Sequence, residues 1–223
     1  MTENPDHPNS SALSDALSPL DSTRRNFLAL GAIAGVAAIV LPALPARALD
    51  LGLASQLKFL ENAEYFQHQF FLRALQSGSI DGLSPTDGKA LLTIANEDSE
   101  QARWINAVRA QRGLMPGRAT LPSSLTEPNF TVGSTYGTRA KFFDSALAIK
   151  ATTVGAFHGI VGKGGKADIV QAIAALAGVQ NRHLAMLREM NGLDPFDTYV
   201  EALSLQEAGK TLSRYGFGTE VRA

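Results

Sequence analysis

The chain has 223 residues, of which 45% are hydrophobic, with 20 Lys and Arg against 21 Asp and Glu and a formal net charge of -1. That is enough apolar material for one packed domain, and the scattered basic residues exclude the phosphate-neutralising face that nucleic acid demands. The chain has no cysteine, which excludes disulfides, thiolate metal sites and Cys nucleophiles.

The first element is a leader over residues 1–48. A long polar stretch precedes Thr23-Arg24-Arg25-Asn26-Phe27-Leu28, and an apolar run softened by Gly31 and Gly35 follows from Leu28 to Leu41. Pro42 and Pro45 break it, and Ala46-Arg47-Ala48 has the small-x-small pattern of a signal peptidase site. The run is about 14 residues, short of the roughly 20 that span a bilayer. The paired arginines with this run resemble a twin-arginine (Tat) export signal. That resemblance implies Arg24 and Arg25 as the export signal, with Ala46 and Ala48 at the cleavage site. It also implies the Tat translocase and signal peptidase as partners, a mature chain starting at Leu49, and a periplasmic location, soluble after cleavage. Because that route carries folded and often cofactor-loaded proteins, a bound group has to be weighed.

Period and punctuation predict four long helices. The first runs from Ala54 to Gln76 and stops at Ser77-Gly78. The second opens on Ser84-Pro85-Thr86-Asp87, a capping residue with proline in the first turn and an acid three positions on. It ends near Arg112-Gly113. The third covers Thr138 to Val161, with Gly162-Lys163-Gly164-Gly165 as a turn rather than a phosphate loop. The fourth covers Ala167 to Met190 and ends at Asn191-Gly192. Ser204-Leu205-Gln206-Glu207 caps a short fifth helix within a tail over 193–223, whose glycine-rich end is expected to fray. No strand is called for. The link from Gly113 to Gly137 is long and rich in proline and glycine, whereas the other links are short. A long link between two hairpins suits a bundle that the chain traverses once outside its helices.

At 3.6 residues per turn each helix carries an apolar stripe, and polar residues interrupt each one near its middle. On the first helix Leu53, Leu57, Leu60, Phe71 and Leu75 flank Glu64, with Gln67 and His68 beside it. On the second, Leu91, Ile94, Ile105 and Val108 flank Asp98 and Gln101. On the third, Phe143, Ala146, Leu147, Val154, Phe157 and Val161 surround Lys150, with His158 at the boundary. On the fourth, Ile169, Ala172, Leu176, Val179, Leu187 and Met190 surround Gln180 and His183. Buried polar groups cost several kcal/mol unless paired. Four interruptions at one level of an antiparallel bundle therefore describe one buried polar cluster. A second stripe on the first helix, Phe59, Ala63, Phe66 and Phe70, is either a wide buried face or a partner surface, and a homodimer through it is compatible with a metal-free and with a metal-binding cluster alike.

Four segments carry a further resemblance: Ala63-Glu64-Tyr65-Phe66-Gln67, the run from Ile94 to Gln101, the run from Ile149 to Phe157, and Val179-Gln180-Asn181-Arg182-His183. Together they resemble the exported ferritin-like domain family that includes desiccation-related proteins. The resemblance implies an all-α fold, a ferritin-like four-helix bundle over 49–192 made of two antiparallel hairpins joined by a long crossover, with a short C-terminal helix. The family pattern has Glu, Glu-x-x-His, Glu and Glu-x-x-His on successive helices around two metal ions. Glu64 keeps the first carboxylate and His183 the last imidazole, and Asp98 shortens the second carboxylate. Gln101 replaces a His, while Lys150 and Gln180 replace carboxylates.

Two multivalent ions need several anionic oxygens, and here two carboxylates enclose a cation. The expectation is a degenerate, metal-free and non-catalytic site without a cofactor, in a stress- or envelope-related protein. Glu64 and Asp98 would then pair with Lys150 while Gln101, Gln180 and His183 complete the hydrogen bonds. The alternative is a remodelled metal-dependent oxidoreductase or iron-binding protein that holds iron or another divalent metal through Glu64, His68, Asp98 and His183.

Overall fold

The computed structural model describes residues 51–76, 80, 82–114 and 138–218. The leader, the Ser77-Gly78 stop, the segment 115–137 and residues 219–223 lie outside the described residues. Those described form helices with no strand among them: α1 (Leu51–Gln76), α2 (Pro85–Gln111), α3 (Arg139–Gly162), α4 (Ala167–Met190) and α5 (Leu205–Ser213). α1 thus begins three residues ahead of the expected Ala54.

The ends follow local chemistry. Ser84 Oγ accepts the Asp87 N–H at 3.1 Å, with Pro85 in the first turn of α2. Thr138 does the same for Lys141 N at the start of α3. The α5 capping box is complete: Ser204 Oγ accepts from Glu207 N, and the Glu207 carboxylate accepts from Ser204 N. α2 closes through Gly113, whose φ of 65° lets Leu114 N donate back to Arg109 O at 2.9 Å, a left-handed stop open to glycine without steric cost.

The apolar core is in two parts, and the chain meets them in an order that defines the topology. Leu57 and Leu60 of α1, Ile105 and Val108 of α2, Phe157 and Ile160 of α3, and Ile169 and Leu176 of α4 form one part. Phe66, Phe70 and Phe71 of α1, Leu91 and Ile94 of α2, Phe142 and Phe143 of α3, and Leu187 of α4 form the other. α1 and α4 therefore run one way, α2 and α3 the other. α1 packs mainly on α2 and α3 mainly on α4, giving two antiparallel pairs. At one end the Arg139 guanidinium donates to Met190 O at 2.9 Å; at the other, Arg112 pairs with Asp168. The end of α2 and the start of α3 thus lie at opposite ends of helices about 40 Å long, and the connection must cover that length. The expected course of the crossover itself, over 115–137, lies outside the described residues.

The C-terminal segment is not the frayed tail expected, as far as Gly218. After Gly192 it crosses α3, with Leu203 N donating to Gly155 O at 2.8 Å. A Cβ on Gly159 would stand 1.9 Å from Leu203 O, so only glycine admits this approach. The Phe217 ring then packs edge-on against Phe59 and Phe66, with centroids 5.4 and 5.6 Å away. The second stripe of α1 is accordingly a wide buried face: Ala63, Phe66 and Phe70 are buried, under the chain's own C-terminus. No helix among the described residues is long and apolar enough to cross a membrane.

Candidate functional site

Between the two apolar parts lies a polar layer. Glu64 from α1, Asp98 and Gln101 from α2, Lys150 from α3, and Gln180 and His183 from α4 are all buried, five of them with 0% exposure and Gln101 with 3%. These six expected positions come together.

Lys150 is the hub. Its Nζ donates to Asp98 Oδ1 at 2.6 Å and Oδ2 at 2.8 Å, to Gln180 Oε1 at 2.7 Å, and to His183 Nδ1 at 3.2 Å. An ammonium has three protons, and here three side chains take them. The Phe71 ring, with its centroid 5.5 Å away, flanks the remaining side. Because His183 Nδ1 accepts from Lys150, the network assigns its hydrogen to Nε2, which donates to Glu97 Oε2 at 2.6 Å. Arg182 pairs with the same Glu97 oxygen.

Glu64 departs from expectation: it is not bonded to Lys150. Gln180 Nε2 stands between them, donating to Glu64 Oε2 at 2.7 Å and to Asp98 Oδ1 at 3.0 Å, with Gln101 Oε1 at 3.2 Å. Helical period assigns a level and a face, but which neighbour a side chain reaches depends on its rotamer and the helix beside it. Glu64 Oε1, Gln67 Oε1 and Gln101 Nε2 belong to the buried atoms with no hydrogen-bond partner among the described residues.

The two carboxyls titrate in opposite directions. Burial, reinforced by the charge of Asp98, raises Glu64 well above its ordinary 4.5, and the more distant pull of Lys150 does not offset it. For Asp98 burial also pushes upward, but the charge and hydrogen bonds of the Lys150 ammonium outweigh it and hold the group below 3.8. Glu97 likewise resists the upward push of desolvation through its bonds to His183 and Arg182 and lies below 4.5. The layer thus pairs Lys150 with Asp98 and Arg182 with Glu97, and leaves Glu64 the carboxyl whose ionisation burial opposes.

His68 is elsewhere. Its Nδ1–H donates to Ala95 O at 2.8 Å, bracing α1 on α2, so the alternative set of Glu64, His68, Asp98 and His183 does not converge. Among the described residues no group of three or more His, Cys, Asp or Glu is placed to hold a metal ion. His158, expected at a boundary, donates through Nδ1 to Val200 O at 3.2 Å, while Asn181 Nδ2 lies 3.4 Å from its Nε2.

Sequence reasoning missed Glu97 and Arg182, and a second buried group of Glu61, Asn106 and Arg109. In that group the Glu61 carboxylate accepts from Asn106 Nδ2 at 2.8 Å and pairs with Arg109. Spacing held the signal: Glu97 is three residues after Ile94, Glu61 four after Leu57, and Arg109 four after Ile105. The run Glu97-Asp98-Ser99-Glu100 looks like a solvated face, yet only Glu100 is exposed.

Four antiparallel and parallel helices around a mid-bundle layer, built from Glu, Asp-x-x-Gln, Lys and Gln-x-x-His, define a protein of the ferritin-like class. The family model described as ferritin-like domain matches residues 53–193, more than half of the chain, and the chain belongs to that family. No curated protein and no solved structure matches it.

Proposed function

We propose that this is an exported, non-catalytic ferritin-like protein whose di-metal site has become a metal-free ionic layer, with a stress- or envelope-related role. One observation carries the reading. The atoms that would ligate metal, both Asp98 oxygens, Gln180 Oε1 and His183 Nδ1, are directed at the Lys150 ammonium instead. Two carboxyls, Glu64 and Asp98, beside a fixed cation do not meet the charge of two divalent ions, so the residues present do not fit such a centre. The alternative, a metal-dependent oxidoreductase or iron-binding protein, asks His68 to leave Ala95 and Lys150 to leave Asp98.

The test is metal analysis of protein purified from its own periplasm, with thermal unfolding in added ferrous or manganous salt. The expected result is no stoichiometric metal and an unchanged melting temperature, because a ligand that does not bind the folded form does not stabilise it. Stoichiometric iron or manganese retained through purification would overturn the reading. Export is part of the same proposal and rests on the leader motif. Replacing Arg24 and Arg25 together with Lys should leave the precursor in the cytoplasm, and the wild-type mature chain should start at Leu49. Unaffected export of the double variant would sink that part alone.

A further inference from the structure

We propose that the polar layer is a self-modification site, in which Lys150 and Asp98 condense to a side-chain amide that locks α3 to α2. This rests on the metal-free reading above. Three features set the pair apart from an ordinary ion pair. First, both Asp98 oxygens lie within 2.8 Å of Lys150 Nζ, so the carboxyl carbon between them is held against the amine from two sides. Second, both residues are fully buried, and a water-excluded site disfavours the reverse hydrolysis and narrows the gap between the charged pair and its neutral amine–acid form. Third, a second carboxyl and an imidazole stand beside the reacting atoms. Glu64 Oε2 and Asp98 Oδ1 share the Gln180 Nε2 donor, at 2.7 and 3.0 Å. Glu64 has no cation bonded to it, and its Oε1 has no partner among the described residues; a carboxyl so buried keeps its proton. His183 Nδ1 faces Nζ at 3.2 Å.

The step balances without a co-reactant. A proton passes from Lys150 Nζ to Asp98, leaving an amine and a carboxylic acid. The amine lone pair attacks Asp98 Cγ, forming the C–N bond and a tetrahedral centre. His183 Nδ1 takes the next proton from nitrogen, Glu64 gives its proton to the departing oxygen, and the C–O bond breaks to release one water. The proton held by His183 then returns to Glu64. The sum is ammonium plus carboxylate to amide plus water, and nothing is oxidised or reduced. Positioned acid and base groups of this kind typically accelerate such steps by about 10²–10⁴-fold. The linkage would close a loop from residue 98 to residue 150 and tie the two hairpins together across the long connection.

The experiment is intact mass and peptide mapping of the purified wild-type protein, with metal analysis of the same sample. The expected result is a chain lighter than its sequence by one water, with the peptides bearing Asp98 and Lys150 joined after denaturation. Full mass with the two peptides separate overturns the proposal and leaves the metal-free reading standing, whereas stoichiometric metal overturns that reading as well. Loss of ammonia, with the link on Gln180, overturns the assignment of Asp98 as electrophile. Lys150→Arg keeps the charge without a primary amine and should restore full mass. Glu64→Gln, checked for helical content by circular dichroism, should link roughly a hundredfold more slowly; linkage at the wild-type rate would remove Glu64 from the mechanism. Should either variant fail to fold, the wild-type mass still decides.

Discussion

Glu61 and Arg109 meet between α1 and α2, two helices consecutive in the chain, and Asn106 supplies a second donor to the same carboxylate. The layer around Lys150 gathers residues from all four long helices. The first group braces a hairpin that local chain connection already holds together. The second joins two hairpins that are separated in sequence by the long link, and it sets the height at which they meet. Burial differs too. Each carboxylate keeps a neutral donor if its cation is lost, Asn106 for Glu61 and Gln180 for Asp98, but Lys150 and Asp98 are fully buried whereas the Arg109 side chain is 10% exposed. The two groups are both buried ion pairs, yet one lies within water's reach and the other is sealed from it.

Lys150→Glu tests this contrast most severely. It places a third carboxyl against Asp98 and removes the cation, so urea unfolding should show a loss beyond the roughly 3–5 kcal/mol typical of breaking a buried pair. The same change restores a carboxylate where the ferritin-like pattern has one. Added iron or manganese should therefore raise its melting temperature while leaving the parent unmoved. A variant as stable as the parent without metal would show that Lys150 is not the hub. Lys150→Met should come next, costing about 3–5 kcal/mol, because Asp98 is left as a buried carboxylate without a cation. Arg109→Met should cost less, about 2 kcal/mol, since the Arg109 side chain is partly exposed and its loss lets water reach Glu61. Equal losses in the last two variants would erase the distinction between the groups.

How much of this was legible beforehand follows the same division. The four interruptions of apolar period announced the layer, since Glu64, Asp98, Lys150, Gln180 and His183 each stand between residues that the two core parts absorb. Helix ends were legible wherever a capping side chain makes them, as at Ser84 and Ser204. Partner choice was not: Glu64 was expected on Lys150 and instead reaches it through Gln180. Period also hid Glu97, because a charged residue at the edge of a stripe looks the same whether solvent or another helix faces it. Only the arrival of Arg182 and His183 from α4 decides that it is buried. The C-terminal strap was illegible for a related reason. Gly155 and Gly159 appear as weak points in a helix until Leu203 is seen lying across them.

The smallest effect expected is in the pH dependence of stability, where the layer carries opposed slopes. Glu64 is raised above 4.5 in the folded protein. Below 4.5 the folded and unfolded forms both hold that proton. As pH rises from 4.5 to the raised folded value, only the folded form keeps it, so stability falls with rising pH and then levels off. Glu97 is lowered from 4.5, so its contribution is present above 4.5 and is lost as pH falls through its folded value. The acid limb therefore belongs to Glu97 together with Asp98, which is lowered from 3.8, and the limb above 4.5 belongs to Glu64. Glu64→Gln should flatten the limb above 4.5 and leave the acid limb in place. Glu97→Gln should shrink the acid limb to the part carried by Asp98 and leave the limb above 4.5 in place, at some cost in overall stability because Arg182 and His183 lose a charged acceptor. Chemical denaturation repeated across pH measures both slopes. If Glu64→Gln left the limb above 4.5 unchanged, Glu64 would be ionised in the folded protein, and the layer would hold one more negative charge than its cations balance.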